Sequence, residues 1–197
     1  MIVKLKDGQY HEVAGGGFGG LFLHKLALLG LESTLDHFGA TRCIAPNGRS
    51  KEPDDSWTPS DRVAGIDSRS LVIELGVSDS LVQLRMDAHH WLTQRGGQTR
   101  VVIILAINKG SKLMTIERWE LAPSTRPTLA PTTPSIPTQM QRLTLHDNGT
   151  VDGGPLLIPA TKVYDQLPLG LGQQHFTFTT YELGRLITGF WERLGIH

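Results

Sequence analysis

The sequence has a single cysteine and no excess of either charge. One thiol, Cys43, cannot form an internal disulfide, and a cysteine-ligated zinc site needs more sulfur than one residue supplies. Lys and Arg together number 19, as do Asp and Glu, so the formal net charge is zero. A chain that binds nucleic acid often carries a basic excess, so any such contact here would need a local basic patch.

Long apolar runs are also missing. Residues 1–10 are polar and charged, unlike a secretory signal peptide. No apolar segment approaches the ~20 residues that a helix needs to span a bilayer. We therefore expect an intracellular protein, cytoplasmic or nuclear, with no membrane partner.

The 197 residues are enough for one domain with a sizeable core. Residues 123–139 are rich in Pro, Thr and Ser and predict an exposed loop or linker, because such a segment buries little apolar surface. We therefore expect a core over residues 1–122, this loop, and an extension over residues 140–197 that packs on the core.

A glycine-rich segment, residues 15–20, precedes an apolar run that predicts a helix over residues 21–29. A glycine-rich loop before a helix can bind phosphate. Here no apolar strand precedes the glycines, and the Lys-Ser/Thr ending of a phosphate-binding loop is missing. The glycine-rich segment is therefore predicted to be a hinge.

The middle of the chain has the pattern of an α/β protein. Two β-rich apolar runs, residues 70–77 and 100–107, predict buried strands. Between them, apolar residues at helical spacing predict a helix over residues 81–94. After a turn at residues 108–111, residues 113–121 alternate as a returning strand does.

The C-terminal region predicts short strands and a final helix. Residues 143–145 and 156–158 are short apolar strands. Thr179 or Thr180 can cap a helix over residues 181–194. An exposed apolar face on this helix would favour a homodimer.

Asp54 and Glu74 are the residues that best suit a functional site. Glu74 lies within a run of Leu, Val and Ile, where a charge is costly unless it has a partner such as a cation or a metal. Asp54 lies on or beside the preceding strand, and adjacent antiparallel strands can bring such side chains within roughly 5 Å. Two oxygen ligands at that distance suit Mg²⁺. Structural interpretations stay open, because Asp after Pro is common in turns and a strand Glu can face solvent at a sheet edge.

Around this pair, a Lys-x-Pro-Asp segment is followed by an apolar strand around Glu74, a helix, a glycine pair and a second apolar strand. This order resembles the PD-(D/E)XK nuclease superfamily. More narrowly, residues 45–121 are similar to a group of restriction-endonuclease-like proteins in fungal genomes, and residues 116–121 continue the similarity. The shared positions are Lys51, Pro53, Asp54, Ile73, Glu74, Gly76, Ser78, Ser80, Leu84, Arg85, Asp87, Ala88, Trp91, Leu92, Gly96 and Gly97.

The resemblance implies a restriction-endonuclease-like fold: a mixed central sheet flanked by helices, here with a C-terminal strand-helix extension. It implies that Asp54 and Glu74 bind Mg²⁺ or Mn²⁺. The implied activity is that of a divalent-metal-dependent nuclease that cleaves phosphodiester bonds in DNA or RNA.

The sequence departs from the superfamily pattern at one position. The superfamily's lysine, which orients the attacking water and stabilises negative charge, should lie two residues after the glutamate, where this chain has Gly76. Arg85 on the next helix or Lys51 at the strand entrance could supply the positive charge, so both are candidate catalytic residues. Because arginine stays charged, Arg85 could clamp phosphate but not act as a base. If Arg85 has only a structural role, we expect it to form a surface salt bridge with a neighbouring acid.

Two other functions stay open. A catalytically inactive nuclease-fold protein would keep the acids and bind nucleic acid or a protein partner, and Gly76 together with the zero net charge favours it. A different small-molecule hydrolase or a structural module has no motif in its favour. No Ser-His-Asp order stands out, and His11-Glu12 lacks the second histidine of a zinc protease.

Overall fold

The computed structural model describes residues 2–44, 50–62, 69–77, 81–93, 98–124, 135–171 and 174–196. The helices are α1 (Ile2–Leu28), α2 (Leu81–Thr93), α3 (Ala160–Val163) and α4 (Thr180–Arg193). The strands are β1 (Leu35–His37), β2 (Cys43–Ile44), β3 (Ser50–Lys51), β4 (Asp55–Pro59), β5 (Leu71–Val77), β6 (Val101–Asn108), β7 (Leu113–Pro123), β8 (Ser135–His146), β9 (Val151–Asp152), β10 (Leu156–Pro159) and β11 (His175–Phe178). No helix in this described part of the chain is both long enough and apolar enough to cross a membrane.

A seven-stranded sheet forms the centre of the fold, in the order β1-β4-β5-β6-β7-β8-β9. Strands β5 and β6 are parallel, with α2 between them in the chain, and the other neighbours in the sheet are antiparallel. Two smaller antiparallel pairs, β2 with β3 and β10 with β11, lie outside this sheet. The predicted α/β architecture with a mixed central sheet flanked by helices is confirmed, and it is consistent with a restriction-endonuclease-like fold.

Both faces of the central strands are buried, which explains their nearly continuous apolar sequences. Ile73 and Ile103 join a cluster with α1 and α4, whereas Val72 and Val102 join a second cluster with α2. We call these the α1 face and the α2 face of the sheet. Because alternate residues of a strand point to opposite faces, Glu74 lies with Val72 on the α2 face.

Helix α1 runs through the glycine-rich segment, so the hinge predicted at residues 15–20 is wrong. One apolar stripe continues across the glycines, with a buried residue at every fourth position: Ala14, Phe18, Phe22 and Leu26. Gly19 allows the helix to approach β4 closely, because a Cβ there would lie 3.0 Å from Asp55 Oδ2. Tertiary packing along this stripe therefore outweighs the poor helix propensity of glycine.

The other predicted central elements are present within a few residues of their expected bounds. Strands β5, β6 and β7 begin at Leu71, Val101 and Leu113, and α2 covers Leu81–Thr93. Helix α4 follows the N-cap Thr179, which forms a capping box with Glu182. Four of the residues that carry the resemblance lie outside the described residues: Ser78, Ser80, Gly96 and Gly97.

Strand β8 begins at Ser135, so residues 135–139 pair with β7 instead of belonging to the predicted loop over residues 123–139. Pro123 is likewise the last residue of β7. Pro137 is tolerated because, among the described residues, β9 pairs with β8 only at Thr144 and Leu145, which leaves the start of β8 as an edge. Residues 125–134 of the predicted loop lie outside the described residues.

The C-terminal region contributes to the same core as the N-terminal region. Phe176 and Phe178 of β11 have ring centroids 5.2 and 6.2 Å from that of Phe22 in α1. The guanidinium of Arg62 donates two hydrogen bonds to Asp165, at 2.5 and 2.8 Å. Most apolar residues of α4 are buried against this core, although Tyr181 is exposed. They do not form the exposed face that would favour a homodimer, and dimerisation stays a prediction.

Candidate functional site

Asp54 lies immediately before β4 and is fixed beside Glu74 by two hydrogen bonds to β5. Its backbone N–H donates to the carbonyl oxygen of Ile73 at 3.2 Å, and its Oδ2 accepts from the N–H of Leu75 at 2.5 Å. Strands β4 and β5 are antiparallel. Since Ile73 and Leu75 flank Glu74 in the chain, the two carboxylates lie at the same end of the strand pair.

Glu74 is buried, with 5% of its surface exposed. The indole N–H of Trp91 on α2 donates to Oε1, and Lys51 Nζ lies 3.3 Å from the same oxygen. Burial raises the pKa of Glu74 to about 7, and the charges of Asp54 and Asp87 contribute to the rise while Lys51 and Trp91 oppose it. Desolvation is therefore the main reason that Glu74 resists ionisation, and the two neighbouring carboxylates add to it.

Lys51 reaches the site from β3. Its Nζ lies 2.6 Å from Asp87 Oδ1 as well as 3.3 Å from Glu74 Oε1. The same ammonium is 5.5 Å from the centre of the Trp91 ring, a distance that suits a cation–π contact. One lysine is thus shared between a carboxylate of the sheet and a carboxylate of α2.

His11 of α1 also belongs to the site, although the sequence did not suggest it. Its Nε2 lies 3.0 Å from Asp54 Oδ1. The hydrogen bond to Asp54 raises the pKa of His11, against the effect of burial, and the charge of Glu74 adds to the rise. If the helix had been predicted to continue through the glycines, His11 could have been found as a site residue. It lies one turn before Gly15, where a Cβ would lie 3.6 Å from Leu75, and Leu75 binds Asp54.

A second Asp–His pair lies next to the first. His37 Nε2 lies 2.6 Å from Asp55 Oδ1, and the His37 ring stacks on Trp57 with centroids 4.8 Å apart. Burial raises the pKa of Asp55, while the hydrogen bond from His37 opposes this. No motif in the sequence indicates this pair, because His37 comes from β1 and meets Asp55 only through strand pairing.

A groove of about 420 Å³ opens beside these residues, between α1 and the start of β4. Its lining includes both Asp–His pairs and four glycines of α1: Gly15, Gly16, Gly19 and Gly20. The absence of side chains at these glycines leaves Asp54 accessible, with 25% of its side chain exposed, against 6% for Glu74. Small ions and water can therefore reach Asp54 from this groove, whose lining does not include Glu74.

Arg85, the other predicted source of positive charge, binds a different carboxylate. Its Nε donates to Glu117 Oε2 at 3.0 Å, and its Nη2 donates to Glu117 Oε1 at 2.6 Å. Arg85 thus forms a salt bridge, but with a buried carboxylate of β7 and not with an acid near it in the sequence. Gly76 lies on β5 two residues after Glu74 and on the same face of the sheet. Of the four predicted site residues, the fold thus brings Asp54, Glu74 and Lys51 together.

The carboxylates of Asp54 and Glu74 are oxygen donors of the kind that hard cations prefer. Within the described residues, no group of three or more His, Cys, Asp or Glu side chains is arranged to hold a metal ion. Magnesium, however, often takes one or two protein carboxylates and completes its shell with water. A carboxylate offers about four lone-pair sites, and the two contacts of Glu74 described above engage Oε1 alone. A nearby cation would also lower the raised pKa of Glu74.

No protein-family model matches the sequence. No curated protein is significantly similar to it. Among solved structures, the chain is similar to a protein from Anabaena variabilis described as a candidate nuclease belonging to DUF820. The alignment covers 90% of this chain and 82% of that chain, with 13% sequence identity and a TM-score of 0.48.

Proposed function

We propose that this protein is a divalent-metal-dependent nuclease in which Asp54 and Glu74 bind Mg²⁺ or Mn²⁺. The observation that carries the proposal is that Glu74 is buried next to a second carboxylate. Its pKa is raised to about 7 although Lys51 and Trp91 contact it. A buried carboxylate that has other carboxylates beside it, with Asp54 at the edge of a groove, suits a divalent cation.

Each residue of the site has a role in this proposal. The N–H groups of Leu75 and Trp91 orient the carboxylates of Asp54 and Glu74. A bound divalent ion would polarise the phosphodiester and lower the pKa of the attacking water. Lys51, which contacts the carboxylate of Glu74, stabilises negative charge on the phosphate. Gly76 has no side chain and cannot perform this role. His11 positions Asp54 from the groove side.

We further propose that the chain is of the PD-(D/E)XK type. The support is the Lys-x-Pro-Asp segment that ends at Asp54 and the position of Glu74 on an interior strand. The sheet is mixed, and Asp54 lies immediately before the strand next to that of Glu74. The narrower similarity to a fungal group depends on the sequence resemblance alone.

A cleavage assay tests the proposal. Purified protein is incubated with plasmid DNA and with single-stranded RNA, in Mg²⁺, in Mn²⁺ and in EDTA. We expect metal-dependent cleavage that is lost in Asp54→Asn and in Glu74→Gln. Asp147→Asn changes an exposed turn residue in the same way and should keep full activity. Equal cleavage by the wild type and both site variants would contradict the proposal.

The second candidate is a catalytically inactive nuclease-fold protein that binds nucleic acid or a protein partner. Its support is that protein cations already contact both carboxylates, since His11 binds Asp54 and Lys51 binds Glu74. Calorimetric titration with Mn²⁺, run beside the cleavage assay, separates the two candidates. Binding of Mn²⁺ that is lost in Asp54→Asn, without cleavage of either substrate, would favour the inactive protein.

A further inference from the structure

Glu117 is the most deeply buried carboxylate of the α2 face, with none of its surface exposed. Arg85 of α2 donates two hydrogen bonds to it, and the indole N–H of Trp119 donates a third to Oε2 at 2.9 Å. Arg142 of β8 comes close as well, with its Nε 3.9 Å from Glu117 Oε1. Two guanidinium groups from different elements thus converge on one carboxylate.

The charge of this cluster is not balanced within it. One arginine is enough to compensate one carboxylate, so Arg85, Arg142 and Glu117 together carry one net positive charge. Both arginines also reach solvent, with 34% of the Arg85 side chain and 49% of the Arg142 side chain exposed. A guanidinium has five N–H donors, and Arg85 uses only Nε and Nη2 on Glu117. The remaining donors are held in place by a buried anchor, which lowers the entropy lost when an anion binds.

The cluster lies in the same row of the sheet as Glu74. Strand pairing aligns Glu74 with Ile104, Ile104 with Glu117, and Glu117 with Arg142. Directly paired residues present their side chains to the same face. Neighbouring strands are about 4.8 Å apart, so the backbones of Glu74 and Glu117 are separated by about 10 Å.

We propose that Arg85 and Arg142 form a binding site for a backbone phosphate of a nucleic acid, next to the carboxylates that the proposed function uses. This inference rests on that function and requires a polynucleotide, since one phosphate would bind the arginines and another would lie at Asp54 and Glu74, two strands away. Arginine suits this role, since its planar N–H groups match the oxygens of phosphate. The cluster also supplies a local positive charge, which a chain of zero net charge needs for a nucleic-acid contact.

Metal-free binding measurements test the site separately from catalysis. The anisotropy of a fluorescent single-stranded 12-nucleotide DNA is measured in EDTA over a series of NaCl concentrations. We expect Arg142→Gln to weaken binding about three- to tenfold and to reduce the slope of log K against log salt by about 0.7, the loss of one phosphate contact to a single strand. Arg142→Lys should retain most of the slope. Arg193→Gln on α4, which packs on the opposite face, is the matched control and should leave both quantities unchanged.

The outcomes distinguish this site from the proposed function. A reduced slope in Arg142→Gln supports the phosphate site even if the protein cleaves nothing in Mg²⁺. Cleavage by the wild type together with identical salt slopes for Arg142→Gln and Arg193→Gln overturns the phosphate site alone. Weaker binding with an unchanged slope, or no binding of the DNA by the wild type, also overturns it. The unfolding temperature of Arg142→Gln should lie within 2 °C of that of the wild type, a margin of roughly 1 kcal/mol or less. Weaker DNA binding is then not caused by a loss of stability.

Discussion

Lys51 Nζ lies 3.3 Å from Glu74 Oε1, although the two residues belong to different sheets. Lys51 is in the short pair formed by β2 and β3, whereas Glu74 is in β5, an interior strand of the seven-stranded sheet. Asp87 of α2 holds the same ammonium at 2.6 Å. One cation is therefore shared between two carboxylates, and its effect on Glu74 does not outweigh burial, which is the main cause of the raised pKa.

Replacing Glu74 by Gln should stabilise the metal-free protein at pH 8. Between pH 4.5 and about 7, the folded state keeps a proton on Glu74 that the unfolded chain has lost, so stability falls as the pH rises through this range. A rise from 4.5 to about 7 corresponds to a cost on the order of 3 kcal/mol once the group is charged. Urea unfolding in EDTA at pH 5 and pH 8 measures the difference.

Glu192→Gln provides the control for this measurement, because Glu192 is exposed on α4. The gain of Glu74→Gln over the wild type should be larger at pH 8 than at pH 5, whereas Glu192→Gln should differ little from the wild type at either pH. A variant that is equally stable or less stable than the wild type at pH 8 would show that Glu74 is not destabilising when charged.

Replacing Lys51 by Met should reduce metal-dependent cleavage about 100-fold, the usual effect of removing one group that stabilises charge in a transition state. The physical reason is that Lys51 is the cation in contact with Glu74, in a site where Gly76 has no side chain. Lys51→Arg keeps the charge and should retain part of the activity. Initial rates of plasmid nicking in Mg²⁺ measure the effect.

Lys162→Met is the matched control, since Lys162 lies on α3 and contacts Glu120 instead. It should cleave at the wild-type rate. If Lys51→Met and Lys162→Met nick plasmid equally fast, Lys51 has no part in the reaction.

The central elements could be predicted because each has a local cause. Strands β5 and β6 are runs of β-branched and other apolar residues buried on both faces. The course of α1 could not be predicted from local propensity, since each glycine in a helix interior costs about 1 kcal/mol relative to alanine. Its helix depends on contacts such as the stacked pair Phe18 and Phe178, 160 positions apart in the chain.

The site likewise contains residues that could be predicted from the sequence and residues that could not. Asp54 and Glu74 were predicted to meet because they lie on or beside neighbouring strands, and the resemblance implied Lys51 as a candidate cation beside them. His11 contacts Asp54 only because α1 is continuous, and that contact was hidden by the predicted hinge. The partner of Arg85 is 32 residues away, and only the pairing of β6 with β7 brings it opposite α2.

Two glycine substitutions in α1 should have opposite effects on stability. A Cβ at Gly19 would lie 3.0 Å from Asp55 Oδ2 and 3.6 Å from Trp57, so Gly19→Ala should cost about 1–3 kcal/mol through crowding. A Cβ at Gly16 would meet nothing within 4 Å, so Gly16→Ala should gain about 0.5–1 kcal/mol from helix propensity. Urea unfolding measures both variants. Destabilisation by Gly16→Ala would contradict a continuous helix at this point.

The His11–Asp54 contact should stabilise the protein in a pH-dependent way. The pKa of His11 is raised in the folded state, mainly by its hydrogen bond to Asp54, so its contribution is present below the unfolded value of 6.5 and is lost as the pH rises through the folded value. His11→Ala should therefore lose more stability at pH 5.5 than at pH 8.5. The loss should stay below about 1 kcal/mol, because 37% of the His11 side chain is exposed and solvent screens the pair.

His24→Ala separates the contact from a general effect of truncating a histidine on α1. His24 is exposed on the same helix, so its replacement should change stability by the same small amount at both pH values. Asp54→Asn should remove the pH dependence of the His11→Ala effect, because the hydrogen bond to the carboxylate is the first cause of the raised pKa. If His11→Ala loses equal stability at pH 5.5 and pH 8.5 in the wild-type background, the protonated His11 does not interact with Asp54 in solution, and His11 then has no part in positioning that carboxylate.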